Sequence, residues 1–223
     1  MDKLKTSVVL FVNGELPAPE RVRAQLTSHD VLIAVDGGLG HIESLGLSPD
    51  LIIGDLDSVD PEKIQSHRTQ GVEIRSFPTD KNETDLELAL QAACELNPER
   101  IWIVAALGKR VDQTLANIFL LTHPDLAGFD IRLFDGHTEI FLIRDSGMLH
   151  GEVDQRVSLL PINGPAEGIH TEGLEYALSN ETLYPEKTRG ISNKMISPTA
   201  TVQIKNGLLL CIRETTKATE RLG

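Results

Sequence analysis

The chain has 223 residues and a formal net charge of −12, with 40% hydrophobic and 24% charged residues. That length suits one large domain or two modest ones with a real core. The acidic balance argues against nucleic acid as a partner, because its binders carry a basic patch. It leaves room for a small phosphorylated ligand, which needs only local positive charge or a bridging metal.

In chain order, apolar strand runs alternate with helical patterns. "SVVLFV" (7–12) is a strand, and "PERVRAQLT" (19–27) a helix with Val22 and Leu26 on one face. "VLIAVDGG" (31–38) and "LIIGD" (51–55) are further strands, followed by the alternating "VEIRSF" (72–77). "TDLELALQAACEL" (84–96) has helical spacing, "IWIVAALG" (101–108) is a strand, and "VDQTLANIFLL" (111–121) is helical through Val111, Leu115, Ile118 and Phe119. Continuous apolar strands interleaved with amphipathic helices predict an α/β domain with a doubly wound, mostly parallel sheet. "DIRLFDG" (130–136) and "EIFLI" (139–143) are strands joined by a tight turn. Beyond Asp145 no long helical pattern occurs. "VSLLPI", "GIHTEGLEYAL", "ATVQIKNG" and "LLLCI" predict short strands, with a hairpin signal at Asn206–Gly207. The predicted organisation is an α/β domain over 1–144 and a small antiparallel β domain over 145–223, ending in a polar, fraying tail.

No run reaches the ~18 apolar residues that cross a membrane. The start lacks a signal peptide's cleavage pattern, so a cytoplasmic location is expected. Cys94 and Cys211 match no metal-ligand spacing and read as small core hydrophobes. None of the seven histidines has zinc-site spacing. Trp102, mid-strand, reads as core.

Ligands of open parallel sheets bind outside the carboxyl ends of the strands. Four predicted strands end in polar chemistry there: Asp36-Gly37-Gly38, Gly54-Asp55-Leu56-Asp57-Ser58, "PTDKNETD" (78–85) and "GKRVDQ" (108–113). Each has a plainer reading. Asp60-Pro61 suits a cap and turn, and Thr84 with Glu87 suits a capping box. Together they bring carboxylates beside glycines, Lys81, Lys109 and Arg110. Crowded carboxylates need a counter-charge, and hard oxygen donors suit Mg²⁺. That composition reads as metal-assisted phosphoryl transfer. "LIIGDLDSV" also resembles the Asp-x-Asp opening of haloacid-dehalogenase-type phosphatases. In those enzymes, however, the motif follows the first strand, and the resemblance leaves Asp36-Gly37-Gly38 and "GKRVDQ" unexplained.

The series "DGG" (36–38), "GDLDS" (54–58), "TDKNETDLELAL" (79–90), "GKRVDQTLANIFLL" (108–121), "GLEYAL" (173–178), "GISN" (190–193) and "VQIKNGLLL" (202–210) resembles the bacterial-type thiamine pyrophosphokinase family, from about residue 7 to residue 212. The resemblance implies Mg²⁺-dependent transfer of the diphosphoryl group of ATP to thiamine, giving thiamine diphosphate and AMP. It implies a C-terminal β-sandwich that binds thiamine, and a homodimer with active sites between subunits. Asp36, Asp55, Asp57 and Asp85 match the family's metal-binding carboxylates. Gly37, Gly38, Gly108, Arg110, Asp112 and Asn117 fall on its nucleotide loops, and Ser192 and Asn193 on its thiamine contact. The implied catalytic group is Asp57, Asp85, Lys81 and Arg110. Three positions depart from the family pattern: Lys109 for a glycine, Gln113 for a histidine and Asn82 for a frequent aspartate. Lys109 and Gln113 remain on the loop assigned to the nucleotide. Tyr176 and Tyr184 are candidates for a wall against thiamine's rings. A catalytically weak binding homologue is the alternative that the altered "GKRVDQ" loop leaves open.

Overall fold

A computed structural model describes residues 7–57 and 59–215. Ser58 of the Asp-rich loop, and the tail beyond Thr215, lie outside the described residues. The chain divides into two compact units, Met1–Asp135 and Gly136–Gly223.

The first unit runs β1 (Ser7–Phe11), α1 (Pro19–Gln25), β2 (Val31–Val35), α2 (Leu39–Ser44), β3 (Leu51–Gly54), α3 (Pro61–Thr69), β4 (Glu73–Ser76), α4 (Asp85–Glu95), β5 (Arg100–Val104), α5 (Val111–Leu120) and β6 (Ile131–Phe134). Its strands lie in the order β6-β5-β1-β2-β3-β4, and each neighbouring pair is parallel. Every residue of β1 is buried, as a central strand covered on both faces requires. Val9, Phe11, Leu32, Ala34 and Ile52 pack with Val22 of α1 and with Leu39 and Ile42 of α2. The alternate residues Val8, Leu10, Ile33 and Ile53 are buried too, and α4, which lies against β1, β2 and β3, buries Leu86, Ala89, Leu90 and Ala93. Helices on both faces make the sheet doubly wound.

Two short helices were not legible in the sequence. In α3, "PEKIQSHRT" carries one large apolar residue, Ile64, and so shows no periodicity. Its start is fixed instead by Asp60, whose Oδ1 accepts from the Glu62 N–H (2.9 Å) ahead of Pro61 at the first helical position. Helix α2 is six residues long, too short for a pattern. Helix α5 forms where its spacing predicts, but none of its residues is buried, and Val111, Leu115 and Phe119 face outward. Trp102 is half-buried, tilted against Phe134 and covered by the Arg100 guanidinium at 5.4 Å.

The second unit contains β7 (Thr138–Ile143), β8 (Ser146–His150), β9 (Arg156–Pro161), β10 (Ala166–Glu172), β11 (Ser179–Leu183), β12 (Asn193–Lys194), β13 (Thr199–Gln203) and β14 (Leu209–Glu214). The antiparallel sheets β12-β9-β14-β7 and β11-β10-β13-β8 bury one core between them, with Phe141, Leu159 and Cys211 from the first and Leu149, Ile169 and Val202 from the second. The division falls after Asp135 rather than near 144. Strand β7 pairs with β14 over its whole length and so belongs to the second unit. The Asn206–Gly207 turn exists, but the expected hairpin does not. Strand β13 pairs with β8 and β10, whereas β14 pairs with β7 and β9. A Cβ on Gly207 would lie 2.4 Å from the Pro165 carbonyl, so the glycine permits a close chain crossing from one sheet to the other. Within "GIHTEGLEYAL" the strand breaks at Gly173 (φ 74°), where a Cβ would meet the Thr199 carbonyl at 2.4 Å.

Candidate functional site

The carboxyl ends of β2, β3 and the loop before α4 bring the sequence-predicted acids together. Asp36 follows β2 and Asp55 follows β3, while Asp85 opens α4 behind Thr84, whose Oγ1 accepts from the Glu87 N–H (3.2 Å). The Asp36 and Asp85 carboxyl groups are close neighbours. Burial first, then the neighbouring Asp85 carboxyl and the negative charge of Asp55, push Asp36 up to about 7. Its Oδ1 is buried with no hydrogen-bond partner. Lys81 Nζ donates to Asp85 Oδ1 (2.8 Å), and that bond, with the charges of Asp85, Asp55 and Asp36, raises the lysine above its ordinary value. Asp57 stands at the rim of this group. Its N–H donates to Asp55 Oδ1 (3.0 Å), and Thr79 Oγ1 donates to its Oδ2 (3.3 Å). Among the described residues no group of three or more acidic, histidine or cysteine side chains is placed to hold a metal ion by itself.

The glycines next to this cluster make room. A Cβ on Gly54 would fall 1.7 Å from Asp36 Oδ1; one on Gly38 would fall 1.8 Å from the Phe11 carbonyl, and one on Gly37 would strike the Asn13 side chain at 2.6 Å. The loop after β5 is less concentrated. Arg110 and Asp112 pair with each other (2.5 Å) on the surface, and Asn117 Nδ2 donates to the Ala106 carbonyl (2.8 Å), bracing the loop from α5. Lys109 and Gln113 are exposed. Backbone strain marks the same places. Outside Gly, Asn and Asp, which tolerate the left-handed region, the described residues with positive φ are Leu56, Ala105, Lys109 and Ser192, all at or next to the motif loops.

Sequence reasoning passed over the loop that leaves β1. Asn13 lies against Gly37, and Glu15 lies against Gly108. The signal was the same as elsewhere, a polar "NGE" directly after a buried strand.

In the second unit a cavity of about 290 Å³ is lined by Tyr176, Leu178, Thr188, Arg189, Gly190 and Asn193, with Ile191. Tyr184 is not among its walls. Asn193 is buried and largely committed to its neighbours: Oδ1 accepts from the N–H groups of Tyr176 (3.0 Å) and Lys194 (2.9 Å), and Nδ2 donates to the Tyr176 carbonyl (2.9 Å). One N–H of the amide is left for a ligand. The Ser192 N–H donates to Ser158 Oγ (3.0 Å). Asn193→Ala is expected to cost about 2 kcal/mol or more, because it orphans buried backbone groups. A shifted denaturant midpoint with unchanged slope checks this, and an unshifted midpoint refutes it.

A doubly wound sheet with crowded carboxylates and a lysine at its rim, joined in one chain to a β-sandwich with an open pocket, has the parts for cation-assisted phosphoryl transfer to a small acceptor. The family model of the catalytic domain of thiamin pyrophosphokinase matches residues 22–133, and that of its vitamin B1 binding domain matches residues 148–209. The chain belongs to the thiamin pyrophosphokinase family. It is 29% identical over 189 residues to the thiamine pyrophosphokinase of Bacillus subtilis (strain 168), an alignment covering 84% of this chain and 88% of that protein. The crystal structure of thiamine pyrophosphokinase from Bacillus subtilis matches with a TM-score of 0.85 at 26% identity, over 96% of this chain and 100% of that one. Yeast thiamin pyrophosphokinase shares the fold, with a TM-score of 0.74 at 19% identity over 96% and 87% of the two chains.

Proposed function

We propose that the chain is a thiamine diphosphokinase, moving the diphosphoryl group of ATP to the hydroxyl of thiamine to give thiamine diphosphate and AMP. The observation that carries this is the rim formed by Asp36, Asp55, Asp85 and Lys81, in a chain whose two halves match both family domains in order. The phosphatase reading has no comparable support. Asp55 and Asp57 follow the third strand, not the first.

Mg²⁺ fits the acidic rim. The donors are hard oxygens, Asp36 Oδ1 is buried without a partner, and the neighbouring carboxylates of Asp85 and Asp55 leave Asp36 in need of a counter-charge. Asp36, Asp55 and Asp85, with Asp57 beside them, would hold the ion. Because Mg²⁺ keeps much of its shell as water and phosphate oxygens, a few carboxylates suffice. When bound, it supplies charge neutralisation on the triphosphate.

The protein's own groups do the rest. Lys81, held by Asp85 and by the Pro78 carbonyl (3.2 Å), brings a fixed positive charge to the phosphoryl oxygens. Thiamine's hydroxyl oxygen bonds to the β-phosphorus in line. The bond from that phosphorus to the bridging oxygen breaks, and AMP departs with the oxygen. Asp57, which is exposed, is the carboxylate able to take the hydroxyl proton. Arg110 and Lys109, on the loop after β5, are the cations available to the leaving α-phosphate. Thiamine is assigned to the cavity of the second unit, with the exposed Tyr176 as its wall and Asn193 fixing that tyrosine's backbone. The domain roles follow: the first unit for nucleotide and metal, the second for thiamine and dimerisation. A cytoplasmic homodimer completes the reading. Light scattering should then report twice 24.4 kDa.

The test is direct. Incubation with ATP, Mg²⁺ and thiamine should yield AMP and thiamine diphosphate one-for-one. Release of ADP or free phosphate in place of AMP overturns the reading, and ligand binding without turnover favours a weak homologue.

A further inference from the structure

The strand order of the first unit reverses at β1, which has β2 on one side and β5 on the other. In open α/β sheets the crevice at such a switch point receives the ligand. Here the two chain segments leaving that point are laced together. The N–H groups of Val12, Gly14 and Glu15 donate to the carbonyls of Val104 (2.9 Å), Ala105 (2.6 Å) and Leu107 (3.0 Å). A Cβ on Gly14 would fall 2.2 Å from the Ala105 carbonyl, so only glycine allows so close an approach. The lacing lays the Glu15 side chain along Gly108: a Cβ there would meet Glu15 Oε2 at 2.6 Å and Cδ at 2.8 Å. The motif glycine of "GKRVDQ" therefore makes room for a carboxylate of this chain. Glu15 is exposed, and no described residue is a hydrogen-bond or ion-pair partner of its carboxylate. A carboxylate whose stem is packed and whose oxygens are uncommitted is a ready acceptor for a pair of hydroxyls.

We propose that Glu15 is a specificity residue that accepts hydrogen bonds from the ribose hydroxyls of the nucleotide. The proposal rests on the diphosphokinase reading, in which the phosphates meet the acidic rim between β2 and β3. The seam between β1 and β5 lies two strand spacings away, ~10 Å, in the direction the nucleoside must extend if it leans toward Gly108 and Asn117. Asp85 is already bonded to Lys81, and the unpartnered oxygen of Asp36 is buried. A hydroxyl bonded to a carboxylate makes a charge-assisted bond, whose loss is felt roughly 10- to 100-fold in affinity.

The experiment compares ATP with 2′-deoxy-ATP and 3′-deoxy-ATP, following nucleoside monophosphate release with thiamine and Mg²⁺. Wild type should prefer ATP over at least one analogue by about tenfold or more in kcat/KM. In Glu15→Ala that ratio should fall toward one, and in Glu15→Gln, which keeps the shape and an acceptor, it should fall part of the way. An unchanged ratio in both variants, or a wild type indifferent to the deoxy analogues, overturns the proposal. Calorimetric titration with the same nucleotides, without thiamine, separates the two readings. Discrimination lost in Glu15→Ala but no thiamine-dependent AMP from wild type would sustain Glu15 and sink the diphosphokinase.

Discussion

Asp36→Asn is expected to make the metal-free protein more stable at pH 8 while removing about a thousandfold of its turnover. The two effects have one cause. Asp36 lies among carboxylates, with a buried oxygen that nothing bonds, and its pKa is raised to about 7. A group whose folded pKa exceeds its unfolded value favours the fold fully below the unfolded pKa, near 4, and loses that contribution as pH rises through the folded one. Above pH 7 the metal-free wild type therefore carries an unfavourable buried charge. Asparagine keeps the size, tolerates the left-handed backbone at φ 49° and donates to Asp85. Allowing for partial solvent screening, the gain is about 1–2 kcal/mol, or roughly 2–6 °C in melting temperature. Melts in EDTA should show the difference growing from pH 5 to pH 8 and vanishing near pH 4. A less stable variant at pH 8, or one with near-normal turnover, would contradict the view of this cluster as a cation site held at the expense of stability.

Gly54→Ala should be among the most damaging single methyls in the first unit. The new carbon would fall 1.7 Å from Asp36 Oδ1, at a backbone φ of 149° that side chains rarely adopt. Gly54 is also fixed at both ends of its peptide: its carbonyl accepts from the Phe77 N–H (3.0 Å), and β3 is buried throughout. Either Asp36 or the end of β3 must move, and both carry the acidic rim. A loss of about 2–4 kcal/mol is expected, with turnover down at least ~100-fold. The double variant Gly54→Ala/Asp36→Gly separates the causes. It removes the clash, so part of the stability returns, while turnover stays lost because a carboxylate is missing. Purely additive stabilities for the two substitutions would show that the close contact is not the source of the damage.

What the sequence disclosed depended on how each feature is encoded. Buried strands and the amphipathic α4 announce themselves through hydrophobic periodicity, and the acidic residues are legible because they follow strand ends. Helix α3 was hidden because a nearly all-polar helix has no period; only the Asp60-Pro61 start betrays it. The turn at Asn206–Gly207 was legible as a turn but not as a crossing between sheets, because turn residues encode local geometry and not the pairing of what they connect. Asn193 was legible only through the resemblance, as a thiamine contact, yet its side chain spends most of its capacity on the backbone of Tyr176, a residue 17 positions away. The strand-end position of Glu15 is legible, but its partner is not: its placement depends on Gly108, across a loop contact of more than ninety residues in sequence.

Strand β14, the last of the described strands, sits inside its sheet, with β7 on one side and β9 on the other. Every strand of the first unit, by contrast, has been synthesised by Phe134. During synthesis the first unit can form its sheet early, whereas β7 and β9 emerge with an unfilled gap between them and raw ladder edges facing it. The second unit is thus a late, nearly all-at-once event, and for as long as the gap is open its two bare edges are the surfaces most in need of a chaperone.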